Sequence, residues 1–422
     1  MGAAAIWQAL PAGGAKAEPS PRLALTARAG TTGPGKPDGL LWTSGGAAAD
    51  HAGRFGRGDR VELTFDNELP VPALLNWHGL DGIQAVEPLT VQTPLAAGLR
   101  QNLRIPSRHA GTFLCDLRLL GDSQARPARA MAWIVGESEA IPVDRDEIVL
   151  LEDWRLRPDG TALAPGSDAG DASRLQTING ETSCDFSVRS NERLRLRFVS
   201  GCQRTVIALK MESLDIRVMA LDSQPAEPFL ARNGALLLAP GARIDVFVDA
   251  TVPPGSKVGI LLHDGQQARP IGRLLVSDEP PLRTAPLPAP PLPANELPAR
   301  PELRNALRFD LLLGGPPADW VTVPDFAASS APAFRAKAGR TVVLALTNRA
   351  ATATVFHLHG HHFRLLDRLD DGWKPFWLDT IAVEPGQTQR IAFAAEYAGL
   401  WLIEQVATDW AAPRLVRWYA VE

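Results

Sequence analysis

Cysteine is nearly absent from this chain of 422 residues, and the three present, Cys115, Cys184 and Cys202, are too few for a disulfide framework. Cys184 and Cys202 flank one strand-rich stretch and either pair or stay free. Cys115, set among Phe113, Leu114 and Leu117, reads as a buried thiol rather than a nucleophile. No run of about 18 apolar residues occurs, which excludes a spanning helix. Charge of one sign is lacking as well: a formal net charge of -4 with 21% charged residues leaves no basic field for nucleic acid. Lysine is scarce against arginine, which we read as coding bias. No Walker-type loop, no G-x-G-x-x-G opening a helix and no G-x-S-x-G elbow is found, so the corresponding nucleotide-binding and hydrolase chemistries have no sequence support. Long helical periodicity is missing too.

What is present points to strands. Hydrophobic residues make up 45% of the chain, enough for two or three cores, and 36 Gly with 36 Pro fit a turn-rich all-β architecture. Gly58-Asp59-Arg60-Val61-Glu62-Leu63-Thr64-Phe65-Asp66-Asn67 recurs as Gly339-Arg340-Thr341-Val342-Val343-Leu344-Ala345-Leu346-Thr347-Asn348, and more weakly over 191–200. Each copy alternates in the manner of a half-buried strand. A second unit, a Gly turn and a strand, comes at Gly98, Gly241 and Gly386. The copies lie a domain's length apart. We expect three tandem β-sandwich domains over 21–140, 141–278 and 302–422, with the Pro-rich stretch 279–301 as an extended linker. Residues 1–20, with an A-x-A-like site at Ala15-Lys16-Ala17 but no positive stretch before it, read as an export remnant, and a periplasmic location is expected.

The outer domains share motifs that the middle one lacks. Leu75-Asn76-Trp77-His78-Gly79 matches Phe356-His357-Leu358-His359-Gly360, and Ala110-Gly111-Thr112-Phe113-Leu114-Cys115-Asp116-Leu117-Arg118 matches Ala398-Gly399-Leu400-Trp401-Leu402-Ile403-Glu404-Gln405-Val406. Each match holds a pair two residues apart: Asn76/His78, Asp116/Arg118, His357/His359 and Glu404/Val406. On a strand such a pair shares one face. Four pairs from two equivalent domains are expected to converge across one pseudo-symmetric interface.

In these motifs, and in Leu238-Ala239-Pro240-Gly241-Ala242-Arg243-Ile244-Asp245-Val246, the chain resembles the three-domain multicopper oxidases, built of cupredoxin Greek-key sandwiches. The resemblance runs from about residue 40 to the end. It implies four copper-ligand motifs: His-x-His-Gly, His-x-His, His-x-x-His-x-His, and a late His-Cys-His with a following His and Met. At those positions this sequence reads Asn76-Trp77-His78-Gly79, then Asp116-Leu117-Arg118, then Thr354-Val355-Phe356-His357-Leu358-His359, then Glu404-Gln405-Val406 with Trp410 and Leu415. Blue copper needs two His and a thiolate. Thr354, Gln405, Trp410 and Leu415 offer none, so we expect no type 1 copper. Of the trinuclear ligands only His78, His357 and His359 remain, and Arg118 adds a charge that cannot be discharged.

Two readings of the remaining site stand side by side. In one, Arg118 fills the polar pocket between Asp116 and Glu404, no cofactor is expected and no residue is catalytic. In the other, His78, His357 and His359, with Asp116 or Glu404, hold zinc, iron or a single non-blue copper. The first goes with a non-catalytic periplasmic protein that binds an envelope partner. In its ligand losses it is similar to the bacterial periplasmic cell-division member of the family. The second goes with a metal-dependent copper or zinc oxidoreductase using the three imidazoles. Among other residues, His361 is expected to pack structurally, and His51, His109 and His263 to be isolated on loops or the surface. Trp77, Phe113 and Trp401 are expected at the domain interface, and Trp154 and Asp379-Thr380 in structural roles.

Overall fold

The computed structural model describes residues 20–31, 38–44, 47–48, 52–119, 127–298, 301–314, 319–367 and 372–422. The expected export remnant and His51 lie outside these, save for residue 20. Among the described residues, helix is confined to two short 3-10 turns, Gln84–Val86 and Arg232–Gly234, and strands form three pairs of sheets. The all-β class expected from composition is the class observed.

The two repeated sequence units become neighbouring strands in every copy. Arg60–Asn67 runs antiparallel to Arg100–Pro106 and parallel to Arg22–Thr31. Arg193–Ser200 has the same relation to Arg243–Asp249 and Arg145–Leu156, and Thr341–Asn348 to Thr388–Ala394 and Leu307–Leu313. Alternation does what the pattern predicts: in Arg60–Asn67 the side chains of Val61, Leu63 and Phe65 turn into the sandwich. The Asn that closes the first and third copies has a common task. Asn67 donates to the carbonyls of Val71 and Leu95 and accepts from Leu69 N–H, and Asn348 donates to Thr352 and Val383 and accepts from Ala350 N–H. Gly98, Gly241 and Gly386 all sit at positive φ, as their turns require.

Each sandwich encloses a separate apolar core, spanning residues 25–135, 149–276 and 311–421. Two expectations need correcting, and one left open is settled. Trp77 and Phe113 pack inside the first core and Trp401 inside the third, because their strand faces turn inward, although Trp77 also borders a small cavity shared with His357, His359 and Asp379 of the third domain. Cys184 and Cys202 are unbridged: Cys202 is buried in the second core while Cys184 sits partly exposed on the edge strand Cys184–Val188. The stretch 279–298 is extended but is no free linker. Leu292 is buried with Met219, Ala220 and Phe247, and buried Asn295 bonds Ala110 through both its backbone N–H (3.0 Å) and its carbonyl (2.7 Å).

Candidate functional site

Four strands carry the paired residues. Ala73–His78 and Gly111–Leu119 are antiparallel neighbours with Asn76 opposite Asp116; Thr354–Leu358 and Gly399–Ala407 are likewise paired, with His357 opposite Glu404. Because these strands face each other across the first and third sandwiches, their same-face side chains meet. The His78 and His357 rings stack with centroids 4.0 Å apart, and those of His357 and His359 lie 4.6 Å apart. Val406, farther along the same face, packs in an apolar patch with Ala239 and Val355.

Charge pairing organises the group. Arg118 Nη1 lies 2.7 Å from Asp116 Oδ2 and its Nη2 3.2 Å from Glu404 Oε2, so one guanidinium joins the first domain to the third. Arg414 adds a second contact to Glu404 Oε2 at 3.0 Å. His359 is held from both sides, Nε2 by Glu404 Oε1 and Nδ1 by Glu87 Oε1, each at 3.1 Å. Burial works against its charge, but the two carboxylates outweigh it and push its pKa up to about 10. Burial likewise opposes ionisation of Glu404, yet Arg118, His359 and Arg414 hold its carboxyl well below the usual range.

His357 behaves in the opposite way. Its Nδ1 faces the Asp379 carbonyl (3.2 Å) and Thr380 Oγ1 (3.1 Å). The Thr380 hydroxyl already donates to Asp379 Oδ1, so both neighbours accept and the proton sits on Nδ1. Nε2 then carries a bare lone pair and has no partner. Burial, with His78 and His359 beside it, drives its pKa well below 6.5. Asn76 Oδ1, His78 Nδ1, Asp116 Oδ1 and Arg118 Nε are also buried without partners. Among the described residues, no three His, Cys, Asp or Glu side chains are grouped as a metal ion needs. The reason is geometric: His78 and His357 stack instead of aiming at one point, and both nitrogens of His359 are engaged.

A second cluster, which the sequence did not single out as a unit, lies alongside. Arg243 of the middle domain donates to Asp379 Oδ1 (2.9 Å) and Oδ2 (2.6 Å) in the third and to the Thr112 carbonyl (3.3 Å) in the first. His362 Nδ1 donates to Asp81 at 2.7 Å and its Nε2 to the Asp222 carbonyl at 2.5 Å. All these side chains are buried. Asp379-Thr380 and the stretch around Arg243 were legible as structural motifs. Asp81, Glu87, Asp222 and His362 had no signal, since they meet partners from other domains, and Arg414 had none because it reaches Glu404 from a neighbouring strand outside the repeated motifs. His109 is not isolated: it is mostly buried with Nδ1 3.7 Å from Asp81 Oδ2. His263 is exposed and accepts from Gly265 N–H. His361 is packed, with Nδ1 2.7 Å from the Tyr419 hydroxyl.

The remaining positions are committed elsewhere. Thr354 Oγ1 donates to Asn348 Oδ1 (3.1 Å), Gln405 Oε1 accepts from Gly314 N–H (2.8 Å), and Trp410 Nε1 donates to the Ala164 carbonyl (3.2 Å). Leu415 packs on the third core, opposite Gln405.

A family model described as multicopper oxidase matches residues 300–422. The multicopper oxidase MmcO of Mycobacterium tuberculosis (strain ATCC 25618 / H37Rv) is 24% identical over 403 residues, covering 82% of this chain and 76% of that protein. The third domain thus matches the multicopper oxidase family, and the chain as a whole is similar to one of its members. Solved multicopper oxidase structures show the same fold. That of the multi-copper oxidase from Pseudomonas thermotolerans matches with a TM-score of 0.80 at 23% identity, covering 95% of this chain and 99% of that one. Lac15 from a marine microbial metagenome matches with a TM-score of 0.76 at 23% identity, covering 96% and 100%. The three sandwiches are therefore cupredoxin-like, and the candidate site lies between the first and last of this multicopper oxidase fold.

Proposed function

We propose that this chain uses the multicopper oxidase scaffold for binding rather than for oxidation. One observation carries the reading: the Arg118 guanidinium bridges Asp116 and Glu404 among the three imidazoles. A cation that cannot lose its proton repels a second cation. The donor set fits a copper cluster poorly, since His359 spends both nitrogens on carboxylates and an imidazolium is no ligand. The type 1 position fits no better, with an amide, an indole, a hydroxyl and an isobutyl group where a thiolate and imidazoles are needed. The partner in this reading is a periplasmic or envelope protein, with the sandwich surfaces as the contact; the resemblance to the family's cell-division member supports it, and cell fractionation with cross-linking tests it.

The test of the main reading is copper loading. Protein purified without chelator and loaded with copper is expected to show no intense thiolate-to-copper band and no oxidation of a phenol or diamine dye. A blue protein with turnover overturns the proposal. The unpartnered Nε2 of His357 favours the alternative of a metal-dependent oxidoreductase. Stoichiometric metal in the purified protein, lost in a His357→Ala/His359→Ala variant that still folds, decides for that alternative.

A further inference from the structure

The stretch 286–298 forms no strand, helix or turn, yet it is regular. From Ala289 its burial repeats every third residue. Ala289 and Leu292 pack against the cluster of Met219, Ala220 and Phe247, and Asn295 is buried next in the same row. Pro288, Pro291 and Ala294, one position earlier in each turn, are all exposed. Leu287, Pro290 and Pro293 form the third row, with Pro290 exposed and the other two half-buried. Three residues per turn is the period of the polyproline II helix. One edge of that helix faces the second domain and two edges are open. The open edges carry Leu287-Pro288 and Pro290-Pro291, two dipeptides that end in proline and stand three residues apart.

The helix is fixed in place. Arg193 donates to the carbonyls of Leu287 and Pro288, the latter at 2.7 Å, and Asn295 anchors the far end on Ala110. Among the described residues, no donor reaches the carbonyls of Pro290 and Pro291. Prolines lack the N–H that strand pairing needs, so no partner can add a strand here. Their rings pack instead on aromatic faces, and Trp N–H and Tyr O–H groups in such a groove can donate to the free carbonyls. A second copy of this chain offers no such groove, since Phe229 is the one exposed aromatic among the described residues.

We propose that the docked strap is a ligand site for another protein, one with an aromatic-lined groove of the kind SH3 and WW domains carry, which takes Leu287-Pro288 and Pro290-Pro291 into neighbouring pockets. The site rests on the binding reading and deepens it by naming the surface and the chemistry of the partner. Docking has already ordered the strap, so binding does not have to.

The experiment titrates the whole chain against a panel of purified SH3 and WW domains. At least one is expected to bind the native chain one to one, and excess free decaproline to displace it. Pro288→Ala/Pro291→Ala, both exposed, should keep the native thermal midpoint and weaken binding by about ten-fold. Pro286→Ala, which removes a proline outside the two dipeptides, should leave the affinity within about two-fold. Asn295→Ala frees the strap and should weaken binding several-fold, because the partner must then order it. Absence of binding across the panel overturns the inference. So does an equal loss in Pro286→Ala and Pro288→Ala/Pro291→Ala, since proline content and not the open edges would then decide. Tighter binding to Asn295→Ala overturns it too, because the docked strap would then be hiding its edges. None of these results bears on copper loading, so this site and the copper-free reading fail separately.

Discussion

His362 shows what a single residue does in the seam. Nδ1 donates to a carboxylate and Nε2 to a backbone carbonyl, so the ring needs both protons and is charged. Burial disfavours that charge, but Asp81, with Asp379 behind it, pushes the pKa up to about 9, above the ordinary 6.5, against the opposing charge of Arg243. A pKa raised in the folded state gives stability that is complete below 6.5 and is lost as pH rises through 9. The urea midpoint is therefore expected to fall between pH 7 and pH 10. His362→Gln should lower stability at pH 7 by on the order of a few kcal/mol and flatten that fall, leaving the part due to His359, which titrates higher in the same direction. An unchanged slope would remove His362 from the account. Glycine matters at the same junction for a different reason. Gly111 has φ +150°, and a Cβ there would lie 2.3 Å from the Ser223 carbonyl oxygen of the middle domain. The obstacle is backbone and cannot swing aside. Gly111→Ala should lower stability by about 2–4 kcal/mol, seen in the thermal midpoint.

At the scale of elements, the sequence carried most of the fold because the strands repeat. A strand that alternates, closed by Asn in the first and third copies, and followed later by a Gly turn and a second strand, pairs in the same way in each copy, so reading one reads all three. The candidate site was legible to the same depth. Asn76, His78, Asp116, Arg118, His357, His359 and Glu404 stand two residues apart on strands, and a shared face brings them together. Glu87 was not legible, since it meets His359 through the docking of two domains, and Arg414 was not, since it reaches Glu404 from a paired strand that carries no repeated motif. The Pro-rich stretch was misread for a related reason: proline reports an extended backbone, not whether that backbone is docked. Asn295 supplies the docking, satisfying the N–H and the carbonyl of buried Ala110. Asn295→Ala leaves both groups without partners, an expected loss of about 2–4 kcal/mol. Limited proteolysis is expected to cut within 279–298 in the variant and not in the native chain. Equal resistance of the two would mean that the stretch is held by Leu292 and its neighbours instead.

Three separate cores in one chain would by themselves melt as three units. The seams argue otherwise for the whole molecule. Leu114, Ala130, Ala132 and Ile134 of the first domain pack with Leu150 and Val199 of the second, Ala239 of the second with Val355 and Val406 of the third, and Leu89 of the first with Leu402, Trp418 and Ala420 of the third. Where the three domains meet lies Arg243, fully buried, donating to Asp379 in the third domain and to the Thr112 carbonyl in the first. Asp222, which accepts from Arg243 N–H at 3.0 Å and from the N–H groups of Asp379 and Thr380 at 3.1 Å each, completes the junction. Any domain that unfolds alone strands these charges. We therefore expect one calorimetric transition whose enthalpy equals the van't Hoff value. Arg243→Met leaves two buried carboxylates without their cation, a loss of about 3–5 kcal/mol, and should split the transition so that the third domain melts first. Combining Arg243→Met with Asp222→Asn and Asp379→Asn removes the unpaired charge and should recover much of the midpoint. Because the charged junction of the three domains is then gone, the transition should stay broader than in the native chain. A single, unshifted transition in Arg243→Met would mean that the remaining seams, apolar and ionic, couple the three domains without it.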